Sequence, residues 1–287
     1  MPPDDAPTST RRFARVGRYQ ILATIAKGGM SVVYRAKDAS RQGEIALKVM
    51  LPELTMKPNL LERFHREGRL GAKLQHENIV RVYEAGEQLG IHFMALELVQ
   101  GIDLDYYLQQ KGRLPPAEAL PLIAQAARAL GHMHERKIVH RDIKPANFIL
   151  AQQNGQSTMK LIDLGLAREK NDDERRIAKR GTALGTVDYM APEQAQDSGS
   201  ADVRSDIYSL GCAWYELLAG RPPFPEGDLA ERIQQHAEIE PPDVRQFNPS
   251  TTVPMVKTLQ RMMAKDPTSR HQSPAELLQD LAACGAI

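Results

Sequence analysis

The rhythm of apolar and polar positions changes near residue 100 of this chain. Before that point, segments 19–26, 31–36, 44–50, 78–86 and 91–99 are short and rich in β-branched or aromatic residues. Gly, Asp or Glu-Gln clusters separate them, which predicts β-strands. A single stretch among them, from Asn59 to Leu74, has helical spacing. Beyond Gly101 the helical period dominates, in 115–135, 206–220, 253–266 and 273–284. The expected class is α+β: a strand-rich lobe with one helix over 18–97, a hinge at 97–101 and a mainly helical lobe over 102–287. Residues 1–17 carry no periodicity and read as a flexible leader. Two lobes of different class predict a cleft at their junction. The stretch 168–186 is polar, aperiodic and long enough for a functional loop.

Two charges interrupt the apolar pattern of the first lobe. Leu60, Phe64, Gly71 and Leu74 mark one face of the helix, and Glu67 falls on it. An inward carboxylate needs a partner. Lys48 is the candidate, placed by strand alternation on the side of Ala46 and Met50. The alternative is that Glu67 only edges the face and stays solvated. Gly68 and Gly71 weaken the same helix, either for movement or for close packing.

Composition narrows the field. The 287 residues are 42% hydrophobic and 25% charged, ordinary for a soluble globular protein. Thirty-seven basic against thirty-six acidic residues give a net charge of +1, which does not fit a nucleic-acid-coating protein. Cys212 and Cys284, the two cysteines, cannot build a disulfide framework or a four-thiolate zinc site. No apolar run approaches the roughly 18–20 residues of a membrane span, and the N-terminus lacks a signal-type stretch. The expectation is a reduced, cytoplasmic protein with no membrane contact within this chain.

Two segments carry chemistry. Ile25-Ala26-Lys27-Gly28-Gly29-Met30-Ser31-Val32-Val33 is a glycine-rich strand–turn–strand, in which backbone N–H groups can approach phosphates. An ordinary hairpin turn is the alternative. The second is His140-Arg141-Asp142-Ile143-Lys144-Pro145-Ala146-Asn147, a polar loop between apolar ends with an acid, a cation and an amide. Asp163 follows at the end of the apolar run Leu161-Ile162, and Gly185-Thr186 and Ala191-Pro192-Glu193 come after it.

In these motifs and their order, the chain resembles the catalytic domain of a eukaryotic-type (Hanks-type) Ser/Thr protein kinase. The run 28–36 and 191–195 resemble the bacterial branch. The likeness covers about 18–284 and implies the bilobal kinase fold, an antiparallel β lobe with one helix and a mainly α-helical lobe. It implies transfer of the γ-phosphoryl group of ATP to Ser/Thr hydroxyls of proteins, with Mg²⁺ as metal and Mn²⁺ as an alternative. Lys48 would hold phosphates and pair with Glu67. Asp142 would take the hydroxyl proton, Lys144 would offset phosphoryl charge, and Asn147 and Asp163 would ligate the metal. Thr186 would hydrogen-bond Asp142 and Lys144. Residues 25–33 would cradle phosphates, with Ile25, Val33, Ala46 and Ile149 around adenine, Leu96 as gatekeeper and the backbone of Glu97 to Val99 on the base. Asp206 matches an acid anchoring the catalytic loop, and Glu193 with Arg270 a structural ion pair.

Ala26 and Ser31 stand where the family pattern has glycine. A left-handed Ala26 would be strained by about 1 kcal/mol and would weaken ATP binding. Arg141 before Asp142 resembles kinases controlled by activation-loop phosphorylation, and Thr182 is the expected autophosphorylation site. Arg175, Arg176, Lys179 and Arg180 are either an acidic-substrate cue or a solvated loop. The rival readings are a pseudokinase, acting as a nucleotide- or partner-binding module, and a small-molecule kinase; intact Lys48, Asp142 and Asp163 oppose the first, Ala-Pro-Glu the second. Partners would be protein substrates and the chain itself, with a homodimer as an alternative. A longer membrane-anchored kinase, of which this is the cytoplasmic part, is the alternative location.

Overall fold

The structure, a computed structural model, describes residues 14–40, 43–153, 156–164, 168–169, 184–197 and 199–286. It divides into two compact units. The first holds the chain to Gly68 together with Val82–Leu98; the second holds Arg69–Arg81 and Val99–Ile287.

In the first unit, β1 (Arg15–Val16), β2 (Tyr19–Lys27), β3 (Ser31–Asp38), β4 (Glu44–Met50), β5 (Val82–Gln88) and β6 (Ile91–Glu97) form an antiparallel sheet in the order β1-β2-β3-β4-β6-β5. Helix α1 (Pro58–Ala72) is the expected interruption. Alternation along the strands gives the sheet two apolar faces. Val16, Tyr19, Val32, Leu47, Val49 and Phe93 pack together on one side. Ala46, Met50, Met94 and Leu96 pack with Phe64 of α1 on the other.

Arg15 and Val16, assigned to a leader from the sequence, are paired with Gln20 and Tyr19, and Val16 is 1% exposed. A valine that can be buried against Tyr19 gains more from the sheet edge than from solvent. The strand expected over 78–86 begins at Val82. Upstream of it, Asn78 and Val80 belong to the second unit, where Asn78 O accepts from Leu161 N at 2.9 Å and Val80 N donates to Leu161 O at 2.8 Å. The buried Asn78 amide donates to Met159 O at 2.9 Å.

The second unit contains more strand than the periodicity predicts. β7 (Gly101–Asp103), β9 (Phe148–Gln153) and β10 (Gln156–Leu161) form one small sheet, and β8 (Ile138–Val139) pairs with β11 (Arg168–Glu169). The helices are α2 (Leu104–Lys111), α3 (Pro116–Glu135), α4 (Pro192–Gln196), α5 (Val203–Ala219), α6 (Leu229–Glu238), α7 (Val253–Met262) and α8 (Pro274–Ala283). α5 starts at a capping box of Asp202 and Ser205 and stops at the left-handed Gly220. Its central residues, Cys212 and Trp214 among them, are buried in a core shared with α3, α7 and α8. No helix among the described residues is long and apolar enough to cross a membrane.

Candidate active site

The first unit arranges its share of the expected residues by strand register. Ala26 pairs with Val33, Val33 with Lys48 and Lys48 with Met94, while Ala46 pairs with Leu96. Cross-strand partners share a face of the sheet, and this is the face that carries Phe64 of α1. Lys48 Nζ stands 2.5 Å from Glu67 Oε1, with the carboxylate 7% exposed. The inward carboxylate therefore has a cation as partner, and the solvated alternative does not hold. Close packing explains Gly68, since a Cβ there would lie 2.6 Å from that of Ala85.

Around the glycine-rich turn, Gly28 N donates to Ser31 O at 2.8 Å and Leu51 N to Met30 O at 3.0 Å. Lys27, Gly28 and Gly29 are exposed, and Ser31 is buried. Positive φ among the described non-glycine residues occurs at Leu89, Lys137 and Arg141. Ala26 is not among them, so the strain considered for it is absent. Val32 departs from the expected set: it pairs with Lys27 and Val49 and packs on the opposite face, leaving only its backbone on this side. Ile25 falls at a register shift and is half exposed; Glu97, opposite Ile45, ends β6.

In the second unit, Asp206 in the first turn of α5 anchors the loop after β8. Its carboxylate accepts from His140 N and Arg141 N, each at 2.8 Å. Burial pushes the Asp206 carboxyl up, and these amides pull it back. Arg141 adopts φ +72°, a conformation costly for a residue with a Cβ. Its carbonyl accepts from Gln194 Nε2 at 2.7 Å, a contact the sequence reading missed. His140 Nδ1 accepts from Asp142 N at 3.2 Å, so the ring proton sits on Nε2 and is donated to Asp163 O at 2.5 Å. One imidazole thus spaces the two acidic segments.

The Asp142 carboxylate is held from two sides. Lys144 Nζ donates to Oδ2 at 2.9 Å and Oδ1 at 3.1 Å, and Asn147 Nδ2 donates to Oδ2 at 3.1 Å and to the Asp142 carbonyl at 2.6 Å. With its amide hydrogens committed to Asp142, Asn147 keeps Oδ1 as an acceptor. Together with the part-exposed Asp163 this is a hard-oxygen donor set of the kind that suits Mg²⁺. Ile149 lies in β9 opposite Asp103 and Lys160, and Gly101 allows β7 its close approach: a Cβ there would be 2.4 Å from Leu150 O. Val99 begins the second unit's return segment.

Thr186 lies in the 3₁₀ turn Leu184–Tyr189. Thr182 and the basic residues 175–180 fall outside the described residues. In the same turn Asp188 pairs with Arg232 of α6, and Tyr189 Oη donates to Glu216 Oε2 of α5 at 2.5 Å. Burial pushes the Glu216 carboxyl up to about 7. A lone acid in the apolar run 212–219 was the available signal for this contact, by the logic applied to Glu67. Glu193 and Arg270 are paired as expected, at 2.7 and 2.9 Å.

The chain matches the protein kinase domain family over residues 19–281. It is 36% identical over 266 residues to the serine/threonine-protein kinase PrkC of Bacillus subtilis, covering 92% of this chain and 40% of that protein. It is 35% identical over 270 residues to the serine/threonine-protein kinase PknB of Mycobacterium tuberculosis, covering 92% of this chain and 42% of that one. It therefore spans about two-fifths of the length of these relatives. Among solved structures, the kinase domain of PknI from Mycobacterium tuberculosis superposes with a TM-score of 0.73 at 26% identity, covering 95% of this chain and 97% of that one.

Proposed function

The chain belongs to the protein kinase domain family, and on that premise we propose that it transfers the γ-phosphoryl group of ATP to Ser/Thr hydroxyls of proteins. The observation that carries this is the Asp142 carboxylate, oriented by Lys144 and Asn147 on a loop tied to the buried Asp206. A carboxylate so fixed can accept the proton of an incoming hydroxyl while Lys144 offsets the negative charge of the transferring group. Lys48, fixed by Glu67, offers a cation to the nucleotide phosphates. Residues 25–33, Ala46, Leu96, Glu97, Val99 and Ile149 are the proposed nucleotide-binding residues, as the family resemblance implies. Asn147 and Asp163 would hold Mg²⁺, or Mn²⁺ in its place. When bound, the ion neutralises phosphate charge. Thr186 positions Asp142 and Lys144, and autophosphorylation at Thr182 switches the enzyme on by supplying an anion for basic side chains such as Arg141.

Incubation with radiolabelled ATP and Mg²⁺ tests both parts. Asp142→Asn should lower label incorporation by about 10²–10⁴-fold, the usual share of a general base. Peptide mapping should place label on Thr182, and Thr182→Ala should depress the activity of phosphatase-treated protein. Equal labelling of wild type and Asp142→Asn would remove the catalytic assignment. Full activity in dephosphorylated Thr182→Ala would remove the switch.

A further inference from the structure

Asp188 and Arg232 form an ion pair that the chemistry above leaves unused. Arg232 Nη1 stands 2.5 Å from Asp188 Oδ1, and the two side chains are 8% and 15% exposed. Arg232 belongs to α6, whose start is fixed by the capping box of Asp228 and Glu231. Asp188 sits two residues after Thr186 in the turn Leu184–Tyr189. Apolar side chains of similar volume hold such a contact at least as firmly as a buried ion pair, so stability alone does not account for it. What a charge-assisted bond adds is direction.

The neighbours show which direction is set. Val187 is buried, Asp188 is held by α6, and Tyr189 Oη is held by Glu216 of α5. Two consecutive residues beside the buried Val187 are thereby fastened to two different helices of the second unit. Glu216 also feels the charges of Asp105 and Asp188, so Arg232 is the cation that keeps Asp188 seated beside like charge.

We propose that Arg232 is a positioning residue for the protein substrate: through Asp188 it sets the course of the Leu184–Tyr189 turn, against which the acceptor segment aligns its hydroxyl with Asp142. This rests on the kinase reading above, in which Thr186 is proposed to position Asp142 and Lys144. Nucleotide binding does not pass through the pair.

A double-mutant cycle on Asp188→Asn and Arg232→Gln tests it, with casein and the Asp142→Asn form of this chain as phosphoryl acceptors. Each single change should raise the acceptor KM about tenfold or more, the worth of one charge-assisted bond, with the KM for ATP within about twofold of wild type. The double variant should be no worse than the poorer single one, because the two residues act as a unit. Arg232→Lys should recover most of the loss. An unchanged acceptor KM, additive effects, or a parallel fall in kcat and in affinity for both substrates would overturn the proposal. If Arg232→Gln does not fold, Asp188→Asn decides: a rise in acceptor KM of about tenfold with the KM for ATP unchanged supports the proposal, and an unchanged acceptor KM overturns it. A wild-type chain that labels neither acceptor overturns the kinase reading and the proposal with it. An active wild type with indifferent variants overturns the proposal alone.

Discussion

Glu67, Asp206 and Glu216 are three carboxylates taken out of water, and each meets a different partner: an ammonium, two backbone amides and a phenol. At Glu216 burial outweighs the phenol's hydrogen bond and leaves the carboxyl at about 7 against an ordinary 4.5. Between those values the folded chain keeps a proton that the unfolded chain has released, so stability falls as pH rises through the window. The contribution is fully present below 4.5 and gone above 7. Glu216→Gln should abolish this slope, worth about 3 kcal/mol, as read from urea unfolding at the two ends of the window. A second residue-scale expectation concerns Ala26. Since its backbone is not left-handed, Ala26→Gly relieves nothing. It should destabilise the chain by about 0.4–1 kcal/mol through the freedom glycine adds to the unfolded state, measurable by the same titration.

At the scale of the element, α1 shows how a helix of modest propensity is kept in place. Gly68 lowers its intrinsic stability by about 1 kcal/mol relative to alanine. The same glycine lets the helix approach Ala85 and Met94, so that Glu67 reaches Lys48. Gly68→Ala would recover the propensity but overpack the contact, at about 1–3 kcal/mol. Overpacking wins, and the shift of α1 should separate Lys48 from Glu67. Lower stability on chemical denaturation together with slower ATP-dependent labelling is the expected result. The apolar face of α1 was legible because its spacing is regular. The β7-β9-β10 sheet was not, although Asn154-Gly155 in the sequence between β9 and β10 is a hairpin signal. Ile79-Val80 looked like strand because the pair is apolar and β-branched, yet Asn78 beside it finds its partner Met159 in β10, 81 positions on.

Across the second unit, Arg270 joins segments that the chain keeps far apart. It is 0% exposed. Its five N–H groups reach both Glu193 oxygens and the carbonyls of Arg204, Ala264 and Lys265, and its guanidinium lies over the Tyr208 ring. Arg270→Ala would leave Glu193 half-paired and take one donor from each of three carbonyls, a loss of about 3–5 kcal/mol. A fall in Tm of about 10 °C should follow, and a differential scan reads it directly. The pair could be named from the sequence only through the family resemblance. Nothing in the residues around Arg270 distinguishes a buried guanidinium from a surface one.

Taken alone, the sequence determined the α+β class, the inward face of α1, and the identity of the acid, cation and amide around Asp142. These rest on short-range regularities: a period of 2 or 3.6, or a motif whose members are adjacent in the chain. The tertiary structure decided which cross-strand row carries Lys48 and Ala26, that Val32 turns to the opposite face, and that Glu67 is paired. It also decided that Asp188 meets Arg232 and Tyr189 meets Glu216. Those contacts join residues far apart in sequence, where their chemistry supplies a charge or a donor but not its partner. The partner is chosen by packing, because a buried polar group is stable only where the fold brings its complement within hydrogen-bonding distance.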